Sequence, residues 1–389
     1  MNKKLLILIL LIATLNLSAQ WNKIVSGTTK NINAVTFASN NIAVAVGDSG
    51  LILRSQNTGN SFSIIASSTV KNLNDVFFLD ANNGFIVGDG GTILKTINGG
   101  ISWSTITSNS SNDLTSIDIK NSIGLVVGRN GTILKSVNNG ANWTALTPFT
   151  IFLLNKVKFA SNDVAIISGS NGLVLKSTDA GYNWTTENSS TGKSINDFAF
   201  YPDDTTMIFV GSNGLKIDAD TSFKQIQEST ISSVWLNSIH HLKNNDTCFV
   251  VGKNASILFT INGNNFNSVS VNSTEDFNDI SFVNDTTGLI VGGKGTIFKT
   301  ITGGVSNDIN ELEKISVALY PNPSTNYFTL SGLSDDSSQL KIFNSCGQLV
   351  FEQTVQGNNA MIEHTLPTGI YYINIFNRNT TSSAVLMVY

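Results

Sequence analysis

Cysteine is nearly missing from this chain: there are two in 389 residues, Cys248 and Cys346. They fall in separate regions, which excludes a dense disulfide framework and leaves two buried thiols as the expectation. Histidine numbers three, and no Cys/His spacing matches a zinc site. His240 and His241 are adjacent, so in a strand they point to opposite faces; no metal and no cofactor is expected. Charged residues make up only 13% and the net charge is −4, so no basic footprint for nucleic acid or an anionic membrane exists. Long apolar runs are also lacking. The one run, Leu5 to Leu15 after Lys3 and Lys4, is far shorter than the roughly 20 residues of a spanning helix. It reads as a secretion signal over residues 1–20, cleaved beside Ala19 or Gln20.

What the chain does have is a repeat. A glycine turn recurs at Gly47, Gly88, Gly128, Gly169, Gly211, Gly252 and Gly292, with steps of 41, 40, 41, 42, 41 and 40 residues. Each copy opens on an apolar-Asn-x-apolar type of strand, as in "LNDVFF", "INDFAF" and, with Thr for Asn, "LTSIDI". A second strand enters the glycine turn, a third leaves it ("GTILKT"), and a fourth begins near an aromatic: Phe62, Trp103, Trp143, Trp184, Phe223 or Phe266. Short β-branched and aromatic runs punctuated by Gly and Asn are strands. Four strands in about 40 residues is a β-propeller blade.

The seventh copy has no aromatic after Gly303-Gly304, whereas Trp21 stands alone near the start. Trp21 to Ile32 is the same 11-residue step as Trp103 to Leu114 or Trp184 to Ile195. The strand at Trp21–Ile24 is therefore predicted to complete the last blade and remove an open edge. The expected fold is all-β: a seven-bladed β-propeller over 21–305 with N-terminal strand closure, followed by a small C-terminal β-sandwich.

"KSTDAGYNWT" carries Ser177, Asp179, Gly181 and Trp184. This Ser-x-Asp-x-Gly-x-x-Trp pattern resembles the Asp-box or BNR repeat, and the whole blade motif resembles propellers of the photosystem II assembly-factor type. Asn57, Asn98, Asn138 and Asn262 stand where other copies would have the Asp, and Asn caps a turn equally well. The resemblance raises a sialidase, which implies three arginines clamping a carboxylate. The chain has three in all, Arg54, Arg129 and Arg378, the last in the tail, so that clamp cannot be assembled.

A two-carboxylate glycoside hydrolase is the alternative chemistry. Asp75, Asp197 and Asp279 occupy one position in three inner strands and are candidates to face the central channel. The structural reading is that they end a strand at a wet channel mouth. The glycine turns lack the Lys-Ser/Thr of a phosphate loop and read as hairpin turns in which Gly supplies a positive φ. The turn residues that vary on a fixed frame, Asp48, Asp89, Arg129, Ser170, Ser212 and Lys253, are candidates to bind a partner protein or a glycan.

After Gly304 the composition changes. "VSNDINELEKIS" is the most charged short stretch and reads as a linker over 306–313. Residues 314–389 then give short strands: "VALYPNPSTNYFTL", "KIFNSCGQLV", "GIYYINIFN" and "AVLMVY". With Tyr320, Pro321, Asn322, Pro323, Gly347, Gly369 and Tyr371 as its motif residues, this segment resembles the type A sorting domain of type IX secretion substrates, found in Bacteroidetes. That resemblance implies recognition by the type IX translocon and a secreted or outer-membrane surface location after signal peptide removal. A secreted, monomeric, non-catalytic binding propeller with no membrane span is the expectation.

Overall fold

The computed structural model of the chain describes residues 21–201, 205–224, 226–242, 246–305, 313–314, 317–333, 338–345, 347–376 and 380–389. The expected signal peptide, most of the linker (306–312), Cys346 and Arg378 lie outside the described residues. The chain divides into two compact units, with the break between Val305 and Ser306.

In the first unit each repeat forms one four-stranded antiparallel sheet, and there are seven. The second blade is representative: Leu73–Phe78 innermost, then Gly84–Gly88, Thr92–Thr96 and Ser104–Ile106 at the rim. The second strands are buried along their whole length, while the rim strands are exposed. That gradient is what radial stacking requires, because both faces of a middle strand meet a neighbouring blade. An apolar cluster fills each junction. One holds Val44 and Ile52 of the first blade against Leu73 and Trp103 of the second, and another holds Leu53 of the first against Leu289 and Ile297 of the seventh.

The seventh sheet is completed from the far end of the chain. Asn22–Ile24 pairs antiparallel with the strand Ile297–Thr300, Asn22 opposite Lys299 and Ile24 opposite Ile297. Trp21, 6% exposed, donates its indole N–H to the Gly304 carbonyl at 3.2 Å and packs edge-on against Phe249 and Phe282. The closed ring predicted from the 11-residue phase is therefore present.

The expected positive φ in the glycine turns is supplied at Gly50, Gly90 and Gly91, not at the first glycine of each turn. Gly47 and Gly88 are extended, and a Cβ there would lie 2.0 and 2.2 Å from the carbonyl oxygens of Asn31 and Asn72. The left-handed residues are the second and third on: Ser49 (φ 53) with Gly50 (φ +70), Asn130 (φ 53) with Gly131 (φ +64), and Asn254 (φ 56) with Ala255 (φ 54) in the sixth blade.

The second unit is a two-sheet sandwich. One sheet orders Glu313–Lys314, Thr380–Val388, Gly369–Phe376, Ser338–Phe343 and Leu349–Val355; the other orders Ala318–Tyr320, Tyr327–Ser331 and Asn359–Glu363. Phe328, Leu330, Leu340, Ile342, Ile373 and Leu386 fill the space between them. Glu313–Lys314 runs parallel to Thr380–Thr381, so the expected linker's last residue belongs to the sheet.

Candidate functional site

Every inner strand of the propeller is bulged after its first residue, as the slips between Leu73 and Asp75 and between Phe277 and Asp279 show. The residue before the slip's end, Asn in six blades and Thr115 in one, reaches sideways. Asn33 donates to the Leu73 carbonyl, Asn74 to Leu114, Thr115 to Leu154, Asn155 to Ile195, Asn196 to Leu236, Asn237 to Phe277 and Asn278 to Ile32, at 2.6 to 3.0 Å. This is a complete circuit of side-chain bonds, blade to blade. A bulge re-aims the residue that follows, and Asp75, Lys156, Asp197, Ser238 and Asp279 line a central cavity of about 760 Å³.

The three candidate catalytic carboxylates thus do come together on the axis, already occupied. Asp75 accepts from the Ile117 N–H of the next blade (3.0 Å) and pairs with Lys156 at 3.3 Å. Asp197 accepts from the Ile239 N–H (3.1 Å) and pairs with Lys158 at 2.8 Å. Asp279 accepts from the Val35 N–H (2.8 Å), linking the seventh blade to the first, and from the Ser238 hydroxyl (2.7 Å). Burial works to raise Asp197, but the Lys158 and Lys156 ammoniums outweigh it and hold that carboxyl low. Burial lifts Asp279 to about 6 against the opposing pull of Lys156. Burial would lower Lys156, yet Asp75, Asp197 and Asp279 around it push it above the ordinary lysine range. Sequence reasoning missed Lys156, Lys158 and Asp118. The signal was available, since Lys156 sits at the same repeat position as Asp75.

The six variable turn residues lie on the opposite face, one per blade. Asp48 and Asp89 are each held by two asparagine amides, Asn31 with Asn33 and Asn72 with Asn74. Arg129 pairs with Asp113 at 3.1 Å and keeps its side chain 62% exposed. Ser212 is buried and accepts from the Ser194 N–H, Ser170 begins the fourth blade's turn, and Lys253 lies over the Trp235 ring at 4.7 Å. Beside them stand exposed apolar groups, Phe149, Ile151 and Trp235. The Asp-box turn is a closed hydrogen-bond knot: Asp179 accepts from Ser177 and from the Tyr182 and Asn183 N–H groups, which hold its carboxyl near about 2. Asn98 makes the equivalent bonds with Thr96 and Ser102.

Cys248 is a free thiol in the wall of the ring, and burial pushes its pKa up. Among the described residues no His, Cys, Asp or Glu group is arranged to hold a metal, and no helix is long and apolar enough to cross a membrane.

In the second unit Asn322 of the sorting motif covers a sheet edge. Asn322 donates its amide to the Val385 carbonyl (2.7 Å) and accepts from the Met387 N–H (2.9 Å), acting as a side-chain strand between Tyr320-Pro321 and Pro323. Gly347, at φ +78, closes the hairpin onto the Asn344 carbonyl, and the Tyr371 hydroxyl, two residues past Gly369, donates to the Pro367 carbonyl.

Residues 56–150 match the family model of the photosynthesis system II assembly factor YCF48, and residues 318–389 match that of the secretion system C-terminal sorting domain. The chain is a β-propeller followed by a segment that matches a secretion sorting tail. This tail indicates export through the type IX system to the cell surface or the extracellular space. No curated protein matches the chain. Among solved structures, YCF48 bound to a D1 peptide is similar at TM-score 0.62 and 20% identity, over 75% of this chain and 100% of that one. YCF48 from Cyanidioschyzon merolae follows at 0.61 and 16% identity, over 72% and 98%. The WD40 β-propeller domain of Doa1 matches at 0.61 and 10% identity, over 72% and 95%. At such identities the likeness of this propeller to them is one of fold.

Proposed function

We propose that this protein is a non-catalytic binding propeller, displayed or released outside the cell after its signal peptide is removed, which recognises a partner protein or glycan. The recognition surface is the face of the glycine turns, centred on Arg129, Ile151, Trp235 and Lys253. The observation that carries the reading is exposure of apolar and cationic side chains together on those loops: Ile151 is 84% and Trp235 44% exposed. Large exposed apolar groups on rigidly held loops are where partners bind. A similar propeller, YCF48, has been solved with a peptide bound. The opposite chemistry, hydrolysis by the axial carboxylates, has no support, because backbone N–H groups, lysines and Ser238 engage all three.

The test is the chain from residue 21 to 389 applied to a glycan array and a peptide array, with reducing ends assayed in parallel. Binding without release of reducing ends is expected, weakened tenfold or more by Arg129→Ala, Ile151→Ser or Trp235→Ala. Release of reducing ends that Asp197→Asn abolishes, or binding indifferent to all three surface changes, overturns the proposal.

A further inference from the structure

Polar side chains join the blades along the propeller axis, and at one joint the protons do not match the contacts. The buried Ser238 hydroxyl of the sixth blade stands 3.0 Å from Asp197 Oδ2 of the fifth and 2.7 Å from Asp279 Oδ1 of the seventh. A hydroxyl has one proton to donate. With both carboxylates ionised it bonds to one of them, and the other faces an oxygen lone pair at hydrogen-bond distance. Both contacts are made together only when a carboxyl brings a second proton. The surroundings select Asp279 for it. Asp197 pairs with the Lys158 ammonium at 2.8 Å and accepts from the Phe198 and Ile239 N–H groups at 2.7 and 3.1 Å. Besides Ser238, Asp279 has only the Val35 N–H at 2.8 Å, and it forms no ion pair among the described residues.

We propose that the propeller axis is a pH-sensitive latch, in which one proton taken up between Asp279 and Ser238 turns Asp279 from acceptor to donor and completes a hydrogen-bond chain across four blades. In the protonated ring the Val35 N–H donates to Asp279, the Asp279 O–H to Ser238, and the Ser238 O–H to Asp197. The chain thus runs from the first blade through the seventh and sixth to the fifth, across the junction where the ring closes. When the proton leaves, Ser238 serves either neighbour but not both, and one link between blades is lost. Burial favours the protonated form and lifts Asp279 to about 6, against the pull of Lys156 and with a small push from Asp75. Asp118, Lys158, Asp197, His240 and His241 also line the cavity, whereas the first blade's inner strand, Ile32–Phe37, holds no titratable group. The closed ring binds this proton more firmly than the unfolded chain does, so the link is present in mild acid and lost as pH rises through about 6.

Because two histidines line the same cavity, the test reads aspartate carboxyls alone. The chain from residue 21 to 389, labelled with carbon-13 at the aspartate carboxyl carbons, is titrated by nuclear magnetic resonance from pH 4 to 8. One carboxyl signal is expected to titrate near about 6 and to be missing from Asp279→Asn. Its midpoint should fall by about one unit in Ser238→Ala, which takes away the acceptor of the acid's hydrogen bond. Asp118→Asn, which alters another buried carboxyl on the axis, should leave that signal in place. Ser238→Ala removes only a hydroxyl, so it reports even if Asp279→Asn does not fold. Ionisation of every aspartate by pH 5 overturns the proposal. So does a late-titrating signal that persists in Asp279→Asn, or one that Ser238→Ala leaves unmoved in a variant melting like the parent.

Discussion

In six of the seven blades one asparagine ties the inner strand to the next, and Thr115 does so in the other. The Asn278 amide joins the last inner strand to the first by donating to the Ile32 carbonyl. Asn278→Ala leaves that carbonyl without a partner, and a loss of about 1–3 kcal/mol is expected for a buried acceptor so treated. Urea denaturation of the variant against the parent measures it. Asp279 gives a prediction with a definite sign. Its carboxyl titrates near about 6 in the fold and near about 4 unfolded, so the folded state holds the proton more tightly. Stability from this group is complete below about pH 4 and declines as pH rises to about 6. Asp279→Asn imitates the protonated form; its melting temperature should gain on the parent across that window and run parallel above it. Equal curves from pH 4 to 7 would contradict this. The repeated Asn was plain in the sequence, yet its task was not, because its partner is a backbone carbonyl some 40 residues on. The turn glycines were equally visible, but their separate reasons, close approach for Gly88 and a left-handed φ for Gly50, appear only once the neighbouring backbone is in place.

At the scale of elements, the strand Asn22–Ile24 is the informative one. It is three residues long and mostly exposed, so its attachment depends on Trp21 beside it. Trp21→Ala should cost about 3–5 kcal/mol, as loss of a buried indole typically does, and thermal melts of the chain from residue 21 would show it. An unchanged melting temperature would mean that the ring does not need this clasp. The strand was legible from phase alone, since the 11-residue step to Ile32 repeats that of the other blades. The inner-strand bulges were not legible. A one-residue slip leaves the apolar pattern intact while re-aiming Asp75 or Lys156, so the cavity's lining emerged only from the register. Asp75, Asp197 and Asp279 were identified as axial candidates, but Lys156 was not, because a lysine in a repeat position otherwise held by Asp, Ser or Ala looks like surface variation.

At the scale of the whole molecule, the chain folds as two units with separate cores. Removal of residues 314–389 should leave a folded propeller that accumulates in the periplasm, and fractionation followed by immunoblotting decides it. Undiminished appearance in the medium would remove the tail's role. The order of the two units and the kind of tail were readable from composition and motif. The partner was not readable, because the residues proposed for recognition lie on loops that no spacing constrains.

The contact between Trp21 and Gly304 spans 283 positions of chain. Contacts so distant in sequence form late and slow the approach to the native state. The amino-terminal residues, first to be synthesised, must therefore wait for the final repeat before they find their place. Until then the polypeptide is an unlatched string of hairpins.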